Sequence, residues 1–354
     1  MKETVQNKCP SIIIYDDYNS RVKADQTSIN TLTRNCGAQA VRNGVKIIEC
    51  KNGELKNTDR IRRLTPRECW RLFNFADSDY DKAASVNSDT QLYKEAGNSI
   101  IINVLMAAIN NLHIKDHIEV LELFGGIGAP RKALMNLGID FHTTDYVEID
   151  KYAVKSYNAI YDENYTTQDV TKWDKDIHID LLFHGSPCQD FSVAGLGKGG
   201  DEGSGTRSSL MFESIRIINK HKPKYVIWEN VKGAISPKHK HNFDKYINTM
   251  DTLNYNTYWQ IMNGVNYDTP QSRERIIAIS VRKDIDTGYE FPKPVPLTKT
   301  LADVLEDNVN EKYYVKQELT QKLIEQIKSK QVSNTVRGGG RGSIDRHSWD
   351  LVLG

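Results

Sequence analysis

Between His117 and Ser280 the chain alternates short β-rich runs with helical stretches, and this alternation restricts the fold more than any other feature. Strands are expected at 117–123, 142–147, 179–184, 225–229, 257–262 and 275–281. Helices are expected at 131–137, 151–161, 208–221 and 243–253, the first closed by Gly138 as its C-cap. Strands joined through helices give a sheet covered on both faces, so the reading is α/β with a doubly wound, mostly parallel sheet. Upstream, Ser88 starts two helical pieces interrupted at Gly97-Asn98, the second an apolar helix over 100–112 that runs almost directly into the first strand. Downstream, the Pro-rich run from Phe291 to Pro296 can neither pair centrally nor continue a helix, and reads as a hinge leaving the α/β domain.

A chain of 354 residues can bury one large core and still carry a smaller second lobe. No apolar stretch approaches the ~18 residues of a membrane span, and the first twenty residues lack a signal-peptide pattern, so a soluble, unexported protein is expected. Cysteines at 9, 36, 50, 69 and 188 form neither an even framework nor a Cys-x-x-Cys pair. That argues against disulfides and against a metal site, and for reduced thiols in a cytoplasm. The net charge of +1 hides an asymmetry, with 12 Lys/Arg against 7 Asp/Glu over residues 1–63 and 4 against 2 over 330–354. The ends are basic and the middle is acidic, as a nucleic-acid partner or simply solvated tails would have it. The glycine run from Arg337 to Gly342 is open to the same two readings.

After the first expected strand comes Glu122-Leu123-Phe124-Gly125-Gly126-Ile127-Gly128-Ala129, where glycines permit positive φ and close approach of backbone to a ligand. Glu148 ends the second strand about 20 residues later, the offset at which a carboxylate reaches ribose hydroxyls. Asp169 ends the next short run and offers an acceptor to an adenine amino group. Together they describe a site for an adenosine-containing cofactor. Ala129, Pro130 and Arg131 break the G-x-G-x-x-G spacing, and nothing downstream resembles a hydride-transfer pair, so S-adenosyl-L-methionine fits better than NAD.

The third strand leads into Gly185-Ser186-Pro187-Cys188-Gln189-Asp190-Phe191-Ser192. Pro187 fixes its own φ and keeps Ser186 out of helix, which stiffens the approach to Cys188 and marks that thiol as a candidate nucleophile. The glycine-rich stretch 191–207 has the composition of a loop able to close over a site.

These motifs, with Arg207-Ser208-Ser209-Leu210, Glu229-Asn230-Val231, Gln271-Ser272-Arg273-Glu274-Arg275, Arg63-Leu64-Thr65-Pro66-Arg67-Glu68-Cys69 and Gly97-Asn98-Ser99, resemble those of the DNA (cytosine-5)-methyltransferases over about residues 62–281. The resemblance implies a Rossmann-like S-adenosylmethionine-dependent methyltransferase domain with a smaller target-recognition lobe. One departure is large: the Arg-Leu-Thr-Pro-Arg-Glu-Cys and Gly-Asn-Ser motifs, which close the family's usual order, here precede the first strand. The chain therefore reads as circularly permuted, its old ends joined near Asn111–Asp116 and its new ends within the recognition lobe. The domains become 64–295 for catalysis (64–116 permuted motifs, 117–295 sheet core), with 1–63 and 296–354 together forming the small lobe. Smaller departures are Glu122 for an aspartate, Ala129 for a glycine, and Asn74-Phe75-Ala76-Asp77 for a Gly-Phe-Pro-Asp turn.

By resemblance Cys188 attacks carbon 6 of a flipped cytosine, Glu229 hydrogen-bonds or protonates N3, Arg275 steadies the carbonyl side and Arg273 supports both loops. Phe124, Gly126, Gly128, Glu148, Asp169, Pro187, Asn98 and Ser99 would hold S-adenosyl-L-methionine, leaving S-adenosyl-L-homocysteine as product. Gln189, Ser192, Arg207, Thr31, Leu32, Arg337 and Arg341 would contact DNA. The implied partner is double-stranded DNA, with or without a companion restriction endonuclease. The implied setting is a monomer, away from membranes, in the cytoplasm of a bacterial or phage-infected cell, near the nucleoid. The competing readings are a tRNA cytosine-5 methyltransferase carrying the DNA-type motif set, and a catalytically silent DNA-binding module.

Overall fold

The computed structural model describes residues 11–16, 21–24, 28–32, 45–50, 59–186, 210–318, 320–322 and 324–325. The first strands are β1 (Ser11–Asp16), β2 (Arg21–Ala24), β3 (Ile29–Asn30), β4 (Val45–Cys50) and β5 (Arg60–Arg63). Four helices follow: α1 (Pro66–Arg71), α2 (Asp77–Ala84), α3 (Asp89–Asn98) and α4 (Ile102–Asn110). The alternating part comprises β6 (Ile118–Leu123), α5 (Ala129–Leu137), β7 (Phe141–Val147), α6 (Lys151–Tyr161), β8 (Leu181–His184), α7 (Met211–His221) and β9 (Tyr225–Val231). It closes with α8 (Lys240–Thr252), β10 (Tyr255–Asn263), β11 (Gln271–Ser272) and β12 (Glu274–Arg282).

The central sheet has the order β10-β12-β9-β8-β6-β7. β7, β6, β8 and β9 run parallel, and β12 pairs antiparallel with both β9 and β10. The sheet is thus mostly parallel, as the alternation predicts, and all six expected strands are present. Residue parity decides which face each side chain covers: Val226 and Trp228 join one core cluster and Ile227 the other, and Ile276 and Ala278 oppose Ile277 and Ile279 in the same way. α7 and α8 cover the first face. The second is covered by α5 and by α1, α3 and α4, with Trp70, Phe73, Leu92, Leu105 and Ala108 in its core. The segment preceding the sheet in the chain is therefore built into the same domain.

From β6 the chain crosses to β7 on one side, whereas β8 lies on the other side of β6. The carboxyl ends of β6 and β8 flank this reversal, and in open α/β sheets that crevice receives the ligand.

Local chemistry explains the helix boundaries. Gly138 ends α5 at φ 67°, the left-handed cap expected of it. Asp150 caps α6 by accepting the Tyr152 N–H at 2.9 Å. Thr65 and Glu68 form a capping box on α1, with Pro66 in the first turn. α8 starts at Lys240, three residues before the expected boundary. Between α3 and α4 the backbone of Ser99 is extended, so Gly97-Asn98-Ser99 lies at a true break between helices. No helix among the described residues is long and apolar enough to cross a membrane.

The outer segments contain an antiparallel sheet of order β2-β1-β4-β5. Its edge strand β5 meets the chain's later part where Arg62 bridges to Tyr314, and the Val315 N–H donates to the Ile61 carbonyl at 2.8 Å. Arg62 is 1% exposed and donates two parallel bonds of 2.9 Å to Glu68 and a third to Glu49. This buried fork ties the small sheet to α1. The run Phe291–Pro296 is irregular, as expected, and is held by Tyr267 Oη donating to the Pro292 carbonyl and Val295 N–H to the Asn266 carbonyl.

Candidate active site

Three neighbouring parallel strands bring the candidate residues to one sheet edge. β6 ends in the glycine loop, β8 ends at Gly185-Ser186, and β9 carries Glu229 and Asn230.

The loop's conformation requires its glycines at two positions in different ways. Gly128 has φ 77°, and a Cβ there would come within 2.5 Å of Tyr161 and 2.7 Å of Tyr157. Gly126 has φ 53° but faces open space, the side from which a ligand approaches. Phe124 also adopts positive φ, 55°, while its N–H is fixed on the Val147 carbonyl at 2.8 Å. Directly below, the Glu122 carboxyl is fully buried, and burial pushes its pKa up to about 7 although Tyr157 Oη donates to it at 2.7 Å.

Glu148 accepts three backbone N–H groups, from Gly126 at 3.0 Å, Ile149 at 2.8 Å and Asp150 at 2.9 Å. Burial raises its pKa, against the pull of those amides. The segment carrying Asp169 docks alongside through the Gln168 N–H on the Glu148 carbonyl at 2.9 Å. Thr171 uses its N–H and hydroxyl on the same Asp169 oxygen, Oδ1, which lowers the Asp169 pKa and leaves Oδ2 for another donor. Ile149, next to Glu148 in the chain, is 69% exposed and was not singled out from sequence. The open face of Gly126 and the Glu148 carboxylate beside it form a part of the crevice able to receive a ligand.

At the other end of the crevice Glu229 pairs with Arg275, Nε to Oε1 3.1 Å, both largely buried. The two strands register Ile277 against Glu229 and Val231 against Arg275, so these side chains are diagonal neighbours on one face. Burial raises the Glu229 pKa, and Arg275 and then Arg273 oppose it. A Cβ on Gly185 would lie 3.7 Å from Glu229 Oε2, so the β8 end runs beside this acid. Ser186 is held there by Asn230, whose Nδ2 donates to its carbonyl and its hydroxyl at 3.3 Å each, and by Trp228 Nε1 at 3.3 Å. Asn230 of the Glu-Asn-Val triplet thus anchors the start of the Pro-Cys segment.

Arg273 turns away from Glu229 into the core. Its guanidinium donates to the carbonyls of Leu32 (2.8 Å), Gly97 (3.1 Å) and Ser99 (3.0 Å) and lies 4.9 Å from the Phe73 ring centroid. It thereby joins these three segments. Leu32, assigned to DNA, has its side chain in the core at 2% exposure, and the Thr31 hydroxyl donates to the Ser272 carbonyl at 2.9 Å. Both dock against β11 and Arg273, and Thr31 stays exposed. Asn98 is exposed at the end of α3 and Ser99 is buried beside it. Pro187, Cys188, Gln189, Ser192, Arg207, Arg337 and Arg341 lie outside the described residues.

Residues 2–113 and 118–350 match the family model described as C-5 cytosine-specific DNA methylase. The chain is 34% identical over 256 residues to "Orphan methyltransferase M.Rho11sI" of Bacillus phage rho11s, covering 63% of this chain and 50% of that protein. It is 43% identical over 137 residues to "Type II methyltransferase M2.ScrFI" of Lactococcus lactis subsp. cremoris, covering 39% of this chain and 38% of that one. The chain spans about half the length of the curated relatives it matches. Among solved structures, an Entamoeba histolytica methyltransferase overlaps with a TM-score of 0.46 at 20% identity, over 58% of this chain and 65% of that one.

Proposed function

The chain belongs to the C-5 cytosine-specific DNA methylase family, and we propose that it transfers a methyl group from S-adenosyl-L-methionine to carbon 5 of a flipped cytosine in a specific duplex DNA site, with Cys188 as the nucleophile. The observation that carries this reading is the buried Glu229 carboxyl beside Gly185, three residues before Cys188 in the sequence and on the strand next to the glycine loop's neighbour.

Carbon 5 of cytosine is a poor nucleophile until carbon 6 is attacked. In the proposed sequence the Cys188 thiolate forms an S–C6 bond while Glu229, whose pKa burial raises, hydrogen-bonds or protonates N3, so that charge does not build up on the ring. Arg275, bonded to the same carboxyl, orients it and faces the developing charge on the carbonyl side. Carbon 5 then takes up the methyl group. Loss of the C5 proton to a base re-forms the C5–C6 double bond, the S–C6 electron pair returns to Cys188, and any proton taken up by N3 goes back to Glu229. The donor, when bound, supplies an electrophilic methyl on sulfonium sulfur. Glu148, Asp169 and Gly126 would hold its adenosine part. A stacked cytosine shields carbon 6, which is why the base must leave the duplex.

The permuted order is supported by the break between the two matched stretches, over residues 114–117, which overlaps the link assigned to the joined old ends. Target reading is assigned to the outer segments, 1–63 and 296–354, and the enzyme to a bacterial or phage-infected cytoplasm.

Transfer of tritium from labelled S-adenosyl-L-methionine tests the proposal. Wild type should label cytosine in duplex DNA, and Cys188→Ser should not. Label on RNA alone would favour the tRNA reading, and no label on either would favour a silent DNA-binding module.

A further inference from the structure

Behind the glycine loop stands a stack of tyrosines that the chemistry above leaves unused. Tyr146 from β7 and Tyr157 from α6 lie face to face, centroids 3.8 Å apart, and Tyr161 leans on Tyr157 at 4.7 Å. All three meet the loop. Tyr146 Oη donates to the Gly126 carbonyl at 2.6 Å, and Tyr161 Oη donates to the Gly128 carbonyl at 2.6 Å. Tyr157 Oη bonds Glu122, just before the loop, and accepts from Arg131 Nη1, just after it, at 3.2 Å. The Arg131 guanidinium also packs 4.7 Å from the Tyr161 centroid. The absent side chains of Gly125 and Gly128 are what let these rings close in, since a Cβ at either would fall within 2.7 Å of a tyrosine carbon.

Peptide planarity gives the contacts a direction. A carbonyl turned toward the tyrosines sends the N–H of the next residue the opposite way. Fixing the carbonyls of Gly126 and Gly128 therefore turns the N–H groups of Ile127 and Ala129 away from the stack, at the opening of α5, where first-turn N–H groups have no intrahelical partner. Gly126 is held from both sides, its N–H by Glu148 and its carbonyl by Tyr146.

We propose that Tyr146 and Tyr161 are positioning residues of the donor site, their hydroxyls presetting the glycine-loop backbone so that its N–H groups are aimed before the ligand arrives. This rests on the reading of that loop as the S-adenosyl-L-methionine site. Tyrosine to phenylalanine keeps each ring and removes only the hydroxyl, so the stack survives while the carbonyl is released. Tyr165 is the control: its hydroxyl bonds the Thr143 carbonyl at 3.0 Å, in the same cluster but away from the loop.

The test uses the full chain, titrated with S-adenosyl-L-homocysteine, together with amide hydrogen exchange at residues 126–129 without ligand. Tyr146→Phe and Tyr161→Phe should each weaken binding about five- to tenfold, the effect of one lost hydrogen bond, and speed exchange at Ile127 and Ala129. At saturating donor their kcat should stay near wild type while KM for the donor rises. Tyr165→Phe should leave Kd and loop exchange unchanged. Wild-type Kd in both loop variants would overturn the proposal. Should wild type itself fail to bind S-adenosyl-L-homocysteine, the donor reading fails, and exchange still judges the stack: an unchanged loop in the double variant rejects it.

Discussion

Arg275 Nε lies 3.1 Å from Glu229 Oε1, on the diagonal between two antiparallel strands. The pair sets an acid against two opposing influences, burial that raises its pKa and a cation that lowers it. Glu229→Ala should reduce methyl transfer about 10²–10⁴-fold, the range for loss of a positioned proton donor. Donor binding should be unaffected. Steady-state rates and S-adenosyl-L-homocysteine titration on the same variant check both halves.

The pH profile follows from the same pair. Where Glu229 acts as the proposed proton donor to N3, kcat/KM should fall as pH rises through its raised pKa. Arg275→Gln removes a group that lowers this pKa, so the falling limb should move to higher pH while the maximum rate drops. A limb unmoved by Arg275→Gln would assign the ionisation to another group.

Arg273→Met should destabilise the fold by roughly 3 kcal/mol or more, because it strands the carbonyls of Leu32, Gly97 and Ser99 that one guanidinium satisfies. Arg273→Lys should recover only part of that, as an ammonium cannot reproduce the planar fork. Urea denaturation of both variants reads the difference.

The two loop glycines should separate in stability. Gly128→Ala combines positive φ with a clash against Tyr157 and Tyr161 and should cost about 2–4 kcal/mol, whereas Gly126→Ala, facing open space, should cost about 1–2 kcal/mol. Thermal denaturation without ligand makes the comparison.

Glu95 is buried between α3 and α6, bonded by Ser156 Oγ at 2.9 Å and Asn87 Nδ2 at 3.1 Å, and burial pushes its pKa up to about 8. Its folded pKa exceeds its unfolded value, so its contribution to stability is fully present below about pH 4.5 and is lost as pH rises toward 8. Glu95→Gln should therefore be more stable than wild type at pH 8, and the two should converge near pH 5. Chemical denaturation at both pH values checks this.

The sheet was legible because each strand is a short β-rich run alternating with helical stretches, and α6 because Asp150 and a clear apolar face mark it from Lys151 to Tyr161. The insertion of β12 between β9 and β10 was not, since strand order depends on pairing between distant segments. Glu148 and Glu229 were legible by offset and motif. The buried fork of Arg62 and the inward turn of Arg273 were not, because an arginine's sequence context says nothing about which carbonyls or carboxylates it will reach. The tyrosine stack did leave a trace: Tyr157 and Tyr161 are spaced four apart on one helix face, beyond a loop whose glycines leave room for rings.

The central claim is a covalent bond between the Cys188 sulfur and carbon 6 of the target cytosine. Duplex DNA carrying 5-fluorocytosine at the methylated position, incubated with protein and S-adenosyl-L-methionine, tests it directly, since fluorine cannot leave as the proton does. The account predicts a denaturant-resistant adduct that peptide mass mapping assigns to Cys188 and that Cys188→Ser lacks. A protein that methylates ordinary cytosine at this site yet forms no adduct, or forms one through another residue, would contradict it.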